Sequence, residues 1–238
     1  MRTFPIGGIH PHDNKEWSKD KGIEVLELPN EVMIPMIQHI GAPATPIVQK
    51  GDKVLTGQLI GQITGFVSAN IHSPISGTVT SIDAYPNGQG QRRIMIVIKR
   101  EGDEWVDTID RSTELKRECT LKPAEIIEKI KQAGVVGLGG AQFPTHVKLT
   151  IPDGQKAEVL IINGVECEPY LTSDYRNMLE RGEMLLTGVE IIMRAIGVER
   201  AVIGVENNKP DAIAHLRDII ARDNYRGIEV MPLKLRYP

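Results

Sequence analysis

The sequence predicts an α/β protein in two parts: an all-β module over residues 1–115, then a doubly wound parallel α/β domain over 116–238. Three observations lead there. Over the first hundred residues, apolar runs of strand length are punctuated by Gly and Pro, and no helical period runs through them. From Pro123 onward, apolar residues recur at helical spacing. Among those helices lie the strand-length runs Val159 to Ile162, Ala201 to Val205 and Ile228 to Met231, an alternation that argues for parallel crossovers.

The strands expected in the first part are Ile23 to Leu28, Val32 to Ile37, Leu59 to Ile63, Gly77 to Ile82 and Ile94 to Ile98. The charged, apolar-poor stretch Arg100 to Arg117 reads as the linker. After it, Pro123 suits the first turn of a helix that puts Ile126, Ile127 and Ile130 on one face, and Gly134 is placed to end it. Leu185, Leu186, Val189, Ile192, Met193 and Ile196 share one face of a second helix, ended by Gly197. Pro210 opens a third, with Ile213, Leu216, Ile219 and Ile220 inward. The chain stops at Tyr237-Pro238 as the last strand leaves the sheet, which reads as a fragment of a longer protein.

Composition bounds the function. With 238 residues, 41% of them apolar, the chain can bury a real core, and its net charge of −3 is spread over both halves. That excludes a basic nucleic-acid arm and an acidic tail. No apolar run approaches the roughly 18 to 20 residues of a membrane helix. The opening Met1 to Gly8 breaks into Pro and Gly before a signal-peptide core could form, so a cytoplasmic protein is expected. Cys119 and Cys167 lie far apart with no CxxC, which excludes a disulfide framework and an iron–sulfur site within these residues. His10 and His12 lack a third ligand in view, so no metal site is expected. His39, His72 and His215 read as structural, and Trp17 and Trp105 as cover for the β module.

Two segments carry candidate chemistry. Gly137 to Lys148, reading GLGGAQFPTHVK, would let backbone amides turn toward an anion, with Lys148 adding a point charge. It follows a helix and lacks a Walker GK[ST], so on the pattern alone a tight structural turn stands ahead of a phosphate cradle. The second segment, Asn163 to Arg176, follows the apolar run 159–162, and polar groups at the carboxyl end of a parallel strand are where open α/β sheets bind ligands. Asn163 can offer donor and acceptor to a heterocycle edge, and Glu166 and Glu168 can accept from ribose or ring N–H groups. The alternative is a solvated loop in which Ser173 or Asp174 caps the next helix. Cys167, between two Glu, is a poor nucleophile. No catalytic residue is assigned.

Lys50-Gly51-Asp52, Gly57 to Gly61 and His72 to Val79 resemble the biotinyl/lipoyl carrier sandwich, but the tip segment Thr64 to Asn70 lacks the carrier Lys. A barrel-sandwich hybrid without carrier chemistry follows. Three longer stretches, FPIGGIHPHDNK, GLGGAQFPTHVKL and INGVECEPYLTSDYRNMLE, resemble the C subunit of the Rnf electron-transport complex, a membrane-associated ferredoxin:NAD oxidoreductase. The Gly-rich loop is also similar to GRGGAGFPTG in the FMN- and NADH-binding subunit of respiratory complex I, with Leu138 and Gln142 standing where that loop has Arg and Gly.

The resemblance implies a Rossmann-like domain that binds FMN and exchanges hydride with NAD(H). It implies that Gly137, Gly139, Gly140 and Lys148 hold the FMN phosphate and ribityl chain, that Phe143 lies near the nicotinamide, that Asn163 and Glu166 contact the flavin, and that Glu168 lies near the dinucleotide. Glu206, Asn207 and Asn208, at another strand end, would add flavin contacts. The family's two [4Fe–4S] clusters are expected only in a C-terminal region missing from this sequence. The implied partners are other membrane subunits and, indirectly, ferredoxin, with the chain peripheral on the cytoplasmic side. A second reading is a non-catalytic scaffold similar to the A subunit of the sodium-pumping NADH:quinone reductase, and a third is a carrier module.

Overall fold

A computed structural model describes residues 11–235. The Met1 to Gly8 opening, His10 and the end at Tyr237-Pro238 lie outside the described residues. The chain forms two compact units, neither continuous in sequence. One comprises Leu26–Glu114 and Leu121–Thr150. The other, within the described residues, comprises 11–25, Leu115–Thr120 and 151–235. A single boundary at 115/116 therefore does not describe the packing: the first helix and the Gly-rich loop belong with the β-rich unit.

In that unit, β1 (Glu31–Pro35), β7 (Arg92–Arg100), β6 (Gly77–Pro86) and β3 (Lys53–Val54) form one antiparallel sheet in this order. The short strands β2 (Thr45–Pro46), β4 (Leu59–Gln62) and β5 (Ile71–His72) form a second. Val54, Ile60, Val79, Ile96 and Ile98 are buried in a single core cluster, as alternating strand residues require. The expected strand Ile23 to Leu28 is absent. Its short apolar-rich run mimics a strand, yet Val25 and Leu26 are 91% and 85% exposed, and the chain passes from one unit to the other between them.

Helix α1 (Pro123–Gln132) has Pro at its first position, and the Glu125 carboxylate accepts the Lys122 amide at 2.7 Å. Its far end is latched to the hairpin tip where carriers attach their group. Asn70 Nδ2 donates to the carbonyls of Lys131 and Gln132 at 3.4 and 3.3 Å. Gly134 (φ +68°) lies so close that a Cβ there would sit 2.1 Å from the Asn70 carbonyl oxygen. The Gly-rich loop then leads to the short α2 (Thr145–Leu149).

In the second unit, β8 (Leu160–Gly164), β9 (Ala201–Glu206) and β10 (Ile228–Leu233) form a parallel sheet in the order β10-β9-β8. Helices α3 (Ser173–Glu180), α4 (Gly182–Ile196) and α5 (Pro210–Arg222) supply Met178, Leu186, Val189, Leu216 and Ile219 to a core that includes Ile203 and Val230. The strands advance in one direction. A doubly wound sheet needs a reversal of that order, which the described residues do not contain. The alternate residues Ile161 and Met231 stay exposed.

Arg117 fastens its segment to this unit through two 3.0 Å bonds to Glu190, a 2.7 Å bond to the Asp223 carbonyl and a stack over Tyr225. Of the tryptophans, Trp105 belongs to the β-rich unit, paired with Thr56 and covered by Arg111. Trp17 does not cover the sandwich: it stands 74% exposed in a 3₁₀ turn, Lys15–Trp17, of the other unit.

Candidate functional site

The Gly-rich loop is pinned at its base. The Gly137 amide donates to the Phe143 carbonyl at 3.0 Å and the Thr145 amide to the Val135 carbonyl at 2.9 Å. Between those ties, the amides of Leu138, Gly139, Gly140, Ala141 and Gln142 donate to no acceptor among the described residues. At Gly139 and Gly140 a Cβ would meet nothing within 4 Å. Successive unpaired amides carry partial positive charge that suits an anion. Lys148 completes it: a Cβ at Gly137 would stand 2.7 Å from the Lys148 ammonium, so Gly137 is the residue that lets the charge lie against the loop. Phe143 is half-buried. Gln142 holds φ +52°, a left-handed conformation that usually falls to Gly.

In the other unit, the chain leaves β8 through Asn163, whose Oδ1 accepts the Val165 amide at 3.0 Å. Glu166 is 3% exposed. Its Oε1 accepts the Asp174 amide at 2.8 Å and the Ser173 hydroxyl at 3.2 Å, so Glu166 caps α3. This corrects the capping role given to Ser173 or Asp174. The helix's unpaired amide is met by a carboxylate from the preceding loop, and Thr172 makes no side-chain cap. Burial first, and then the charge of Glu166, raises the pKa of Asp174.

Glu166 Oε2 is buried without a hydrogen-bond partner, 4.0 Å from Lys209 Nζ. Lys209, itself buried, donates to Glu206 Oε2 at 2.6 Å from just beyond β9. Two buried carboxylates thus share this ammonium, and Oε2 of Glu166 still lacks a donor. Asn207 and Asn208 follow directly after Glu206, at the carboxyl end of β9. Asn163 and Asp174 line a cleft of about 350 Å³ over Ile162, Met178 and Ile203.

The structure brings Gly137 and Lys148 together in one unit, and Glu166 and Glu206, through Lys209, in the other. Glu168 contributes its carbonyl to a different bond, and its side chain is not buried. Lys209 belongs to the polar turn read from the sequence, though its burial between two carboxylates does not show there. One residue escaped the sequence reading: Lys15, 8% exposed, whose ammonium donates to the carbonyls of Glu166, Glu168 and Leu171 at 2.8, 3.0 and 2.6 Å. The Asp13 carbonyl accepts the Tyr170 amide and the Ser18 hydroxyl donates to the Tyr170 carbonyl, so residues 13–18 clasp the whole loop. The only sequence signal is a lysine within a Gly- and Pro-rich opening. Among the described residues there is no group of three or more metal-binding side chains, and no helix is long and apolar enough to cross a membrane.

Comparison with known proteins assigns a family to each part. Residues 3–103 match the RnfC barrel sandwich hybrid domain and residues 130–238 the Nuo51 FMN-binding domain. The C subunit of the proton-translocating ferredoxin:NAD(+) oxidoreductase complex of Clostridium ljungdahlii is 46% identical over 98% of this chain and 50% of its own length. This chain belongs to the Rnf C-subunit family. The corresponding subunit of the Na(+)-translocating ferredoxin:NAD(+) oxidoreductase complex of Acetobacterium woodii is 45% identical over 98% of the chain and 52% of its own length. A third relative, from the ion-translocating oxidoreductase complex of Rhodobacter capsulatus, is 43% identical over 90% of the chain and 41% of its own length. The chain spans about half the length of the first two of these relatives.

Proposed function

We propose that this chain is the FMN- and NAD(H)-binding part of a membrane-associated ferredoxin:NAD oxidoreductase subunit, serving hydride exchange between NADH and FMN, with electrons passed to iron–sulfur clusters outside this sequence. The observation that carries the reading is the run of five unpaired amides, Leu138 to Gln142, with the Lys148 ammonium against the same loop. That arrangement suits a phosphomonoester. The match to an FMN-binding domain supports FMN as the phosphate's owner.

On this reading Gly137, Gly139, Gly140 and Lys148 hold the phosphate and ribityl chain. Glu166 Oε2, a buried acceptor short of one donor, takes a ring N–H or ribityl O–H, and Asn163 contacts the flavin as well. Glu206, Asn207 and Asn208 supply further polar contacts, Phe143 lies near the nicotinamide and Glu168 near the dinucleotide. Bound FMN supplies the chemistry, accepting two electrons with a hydride and releasing them singly. The chain's residues bind, orient and charge-balance it. The parallel unit is read as the Rossmann-like part of the subunit, which is peripheral on the cytoplasmic side, joined to other membrane subunits and, indirectly, to ferredoxin.

The test is titration of the full chain with FMN, followed by quenching of flavin fluorescence. Saturable binding, weakened by Lys148→Ala and by Glu166→Gln, is expected. No binding, or binding indifferent to both changes, rejects the reading.

A further inference from the structure

The sandwich carries a cleft of about 760 Å³ that none of the roles above uses, and all of its walls belong to the β-rich unit. Its floor is fixed by backbone bonds that stitch the two sheets together. The Met36 amide donates to the Ile94 carbonyl of β7 at 2.9 Å, and the Met36 carbonyl accepts the Ala44 amide, next to β2, at 2.8 Å. The rim is tied in the same way, with the Thr64 hydroxyl donating to the Pro43 carbonyl at 2.7 Å. A groove held at both sheets is preformed, so filling it costs little ordering of the protein.

The chemistry of the walls is one-sided. Met36 and Ala44 are 2% and 4% exposed, and Ile94, at 45%, adds an apolar shoulder. Arg92 and Arg93, both exposed, form another wall. Arg92 donates to the Ala84 carbonyl and Arg93 to the Gln91 side-chain oxygen at 2.7 Å, and both acceptors are neutral. No Asp or Glu is among the lining residues. Arg111, Arg117, Arg176, Arg200 and Arg222 each meet a carboxylate, whereas Arg92 and Arg93 pair with none among the described residues, in a chain whose net charge is −3. Two guanidiniums without counter-charge beside a recessed apolar floor suit carboxylates borne on an apolar body. The recess decides between a bilayer and a peptide. A lipid surface buries what protrudes into it, and Met36 and Ala44 do not protrude, whereas an extended chain can lower side chains onto them.

We infer that this groove docks an acidic, apolar segment of another subunit, with its carboxylates on Arg92 and Arg93 and its apolar side chains against Met36, Ala44 and Ile94. The inference rests on the reading of the chain as part of a multi-subunit assembly and names the surface that reading leaves open. The sandwich becomes a docking module, without the prosthetic group that carriers of similar build hold.

The test replaces Thr45, an exposed lining residue, with a photo-crosslinking phenylalanine derivative in the full-length subunit in its native membranes, and identifies the crosslinked peptides by mass spectrometry. Two paired changes are compared with the parent: Arg92→Glu with Arg93→Glu, and Arg92→Lys with Arg93→Lys. Crosslinks to one acidic, apolar segment of another subunit are expected. Charge reversal should lower their yield about tenfold or more, and the lysine pair, which keeps the charge, should lower it less. Raising the salt should weaken the parent's crosslink as well. Crosslinks to lipid, to a basic segment or to this chain alone overturn the inference, as does a yield indifferent to charge reversal. Co-purification with membrane subunits, scored on the same samples, separates the two readings. A subunit that co-purifies while the groove crosslinks to no partner rejects the groove alone, and one that co-purifies with no membrane subunit rejects the assembly reading with it.

Discussion

Lys15 and Glu166 are 151 positions apart, yet the Lys15 ammonium donates to the Glu166 carbonyl at 2.8 Å. An ammonium has three protons, and here three carbonyls of one loop take them. The loop's path is thus set by a residue near the other end of the chain.

Replacing Lys15 with Met leaves those carbonyls without their charged donor. The expected loss is about 2–4 kcal/mol, read by urea denaturation of the full chain. Lys15→Arg should recover little, because a planar guanidinium does not replace a compact ammonium among converging carbonyls. A loss under about 0.5 kcal/mol would mean that water serves the carbonyls equally well.

Lys209 stands between the buried carboxylates of Glu206 and Glu166. Lys209→Met leaves buried negative charge uncompensated and should cost about 3–5 kcal/mol. The double change Lys209→Met with Glu206→Leu should cost less than Lys209→Met alone, since it removes one of the orphaned charges. A double-mutant cycle with no coupling would contradict this picture.

Two glycine substitutions should separate stability from binding. Gly134→Ala combines a left-handed φ with a Cβ 2.1 Å from the Asn70 carbonyl oxygen, and an unfolding loss on the order of 2–4 kcal/mol is expected. Gly137→Ala meets only the flexible end of Lys148 at close range, so stability should stay within about 1 kcal/mol. The displaced ammonium should weaken FMN binding about tenfold, near 1.4 kcal/mol. Equal effects on stability from both changes would refute the distinction.

The pH dependence follows from His146. Burial, and then the charge of Lys131, hold its pKa below the ordinary value of about 6.5. In the window between the lowered and ordinary values the unfolded chain binds the proton and the folded chain does not, so stability falls as pH drops through it. Melting temperatures should decline as pH drops from above the ordinary histidine value to below it, and His146→Leu should flatten part of the slope. An unchanged slope would remove His146 from the account.

Much of this was legible because its causes are local. Pro123 and Pro210 open helices, Gly197 ends one, and the apolar spacing of Leu186, Val189 and Met193 puts that face in the core. The Gly-rich loop and the Glu166 turn could be found as candidates for the same reason. Non-local causes stayed hidden. Nothing near Lys15 shows that carbonyls 151 to 156 positions away will bury it, and nothing near Ser173 shows that Glu166 will cap its helix. Ile23 to Leu28 misled because an apolar run of strand length becomes a strand only when a neighbour pairs with it.

The interleaving of the two units sets an order on synthesis. Every segment of the β-rich unit has been made once Thr150 is added, so its sheets and helix latch can form while the chain is still growing. The parallel unit begins earlier and finishes later, because residues 11–25 must wait for those after Ile151. At about 5–20 residues per second, Lys15 waits roughly 8–30 s for the carbonyl of Glu166. During that time its ammonium is an ordinary solvated charge, and the carbonyls that will bury it have yet to be made.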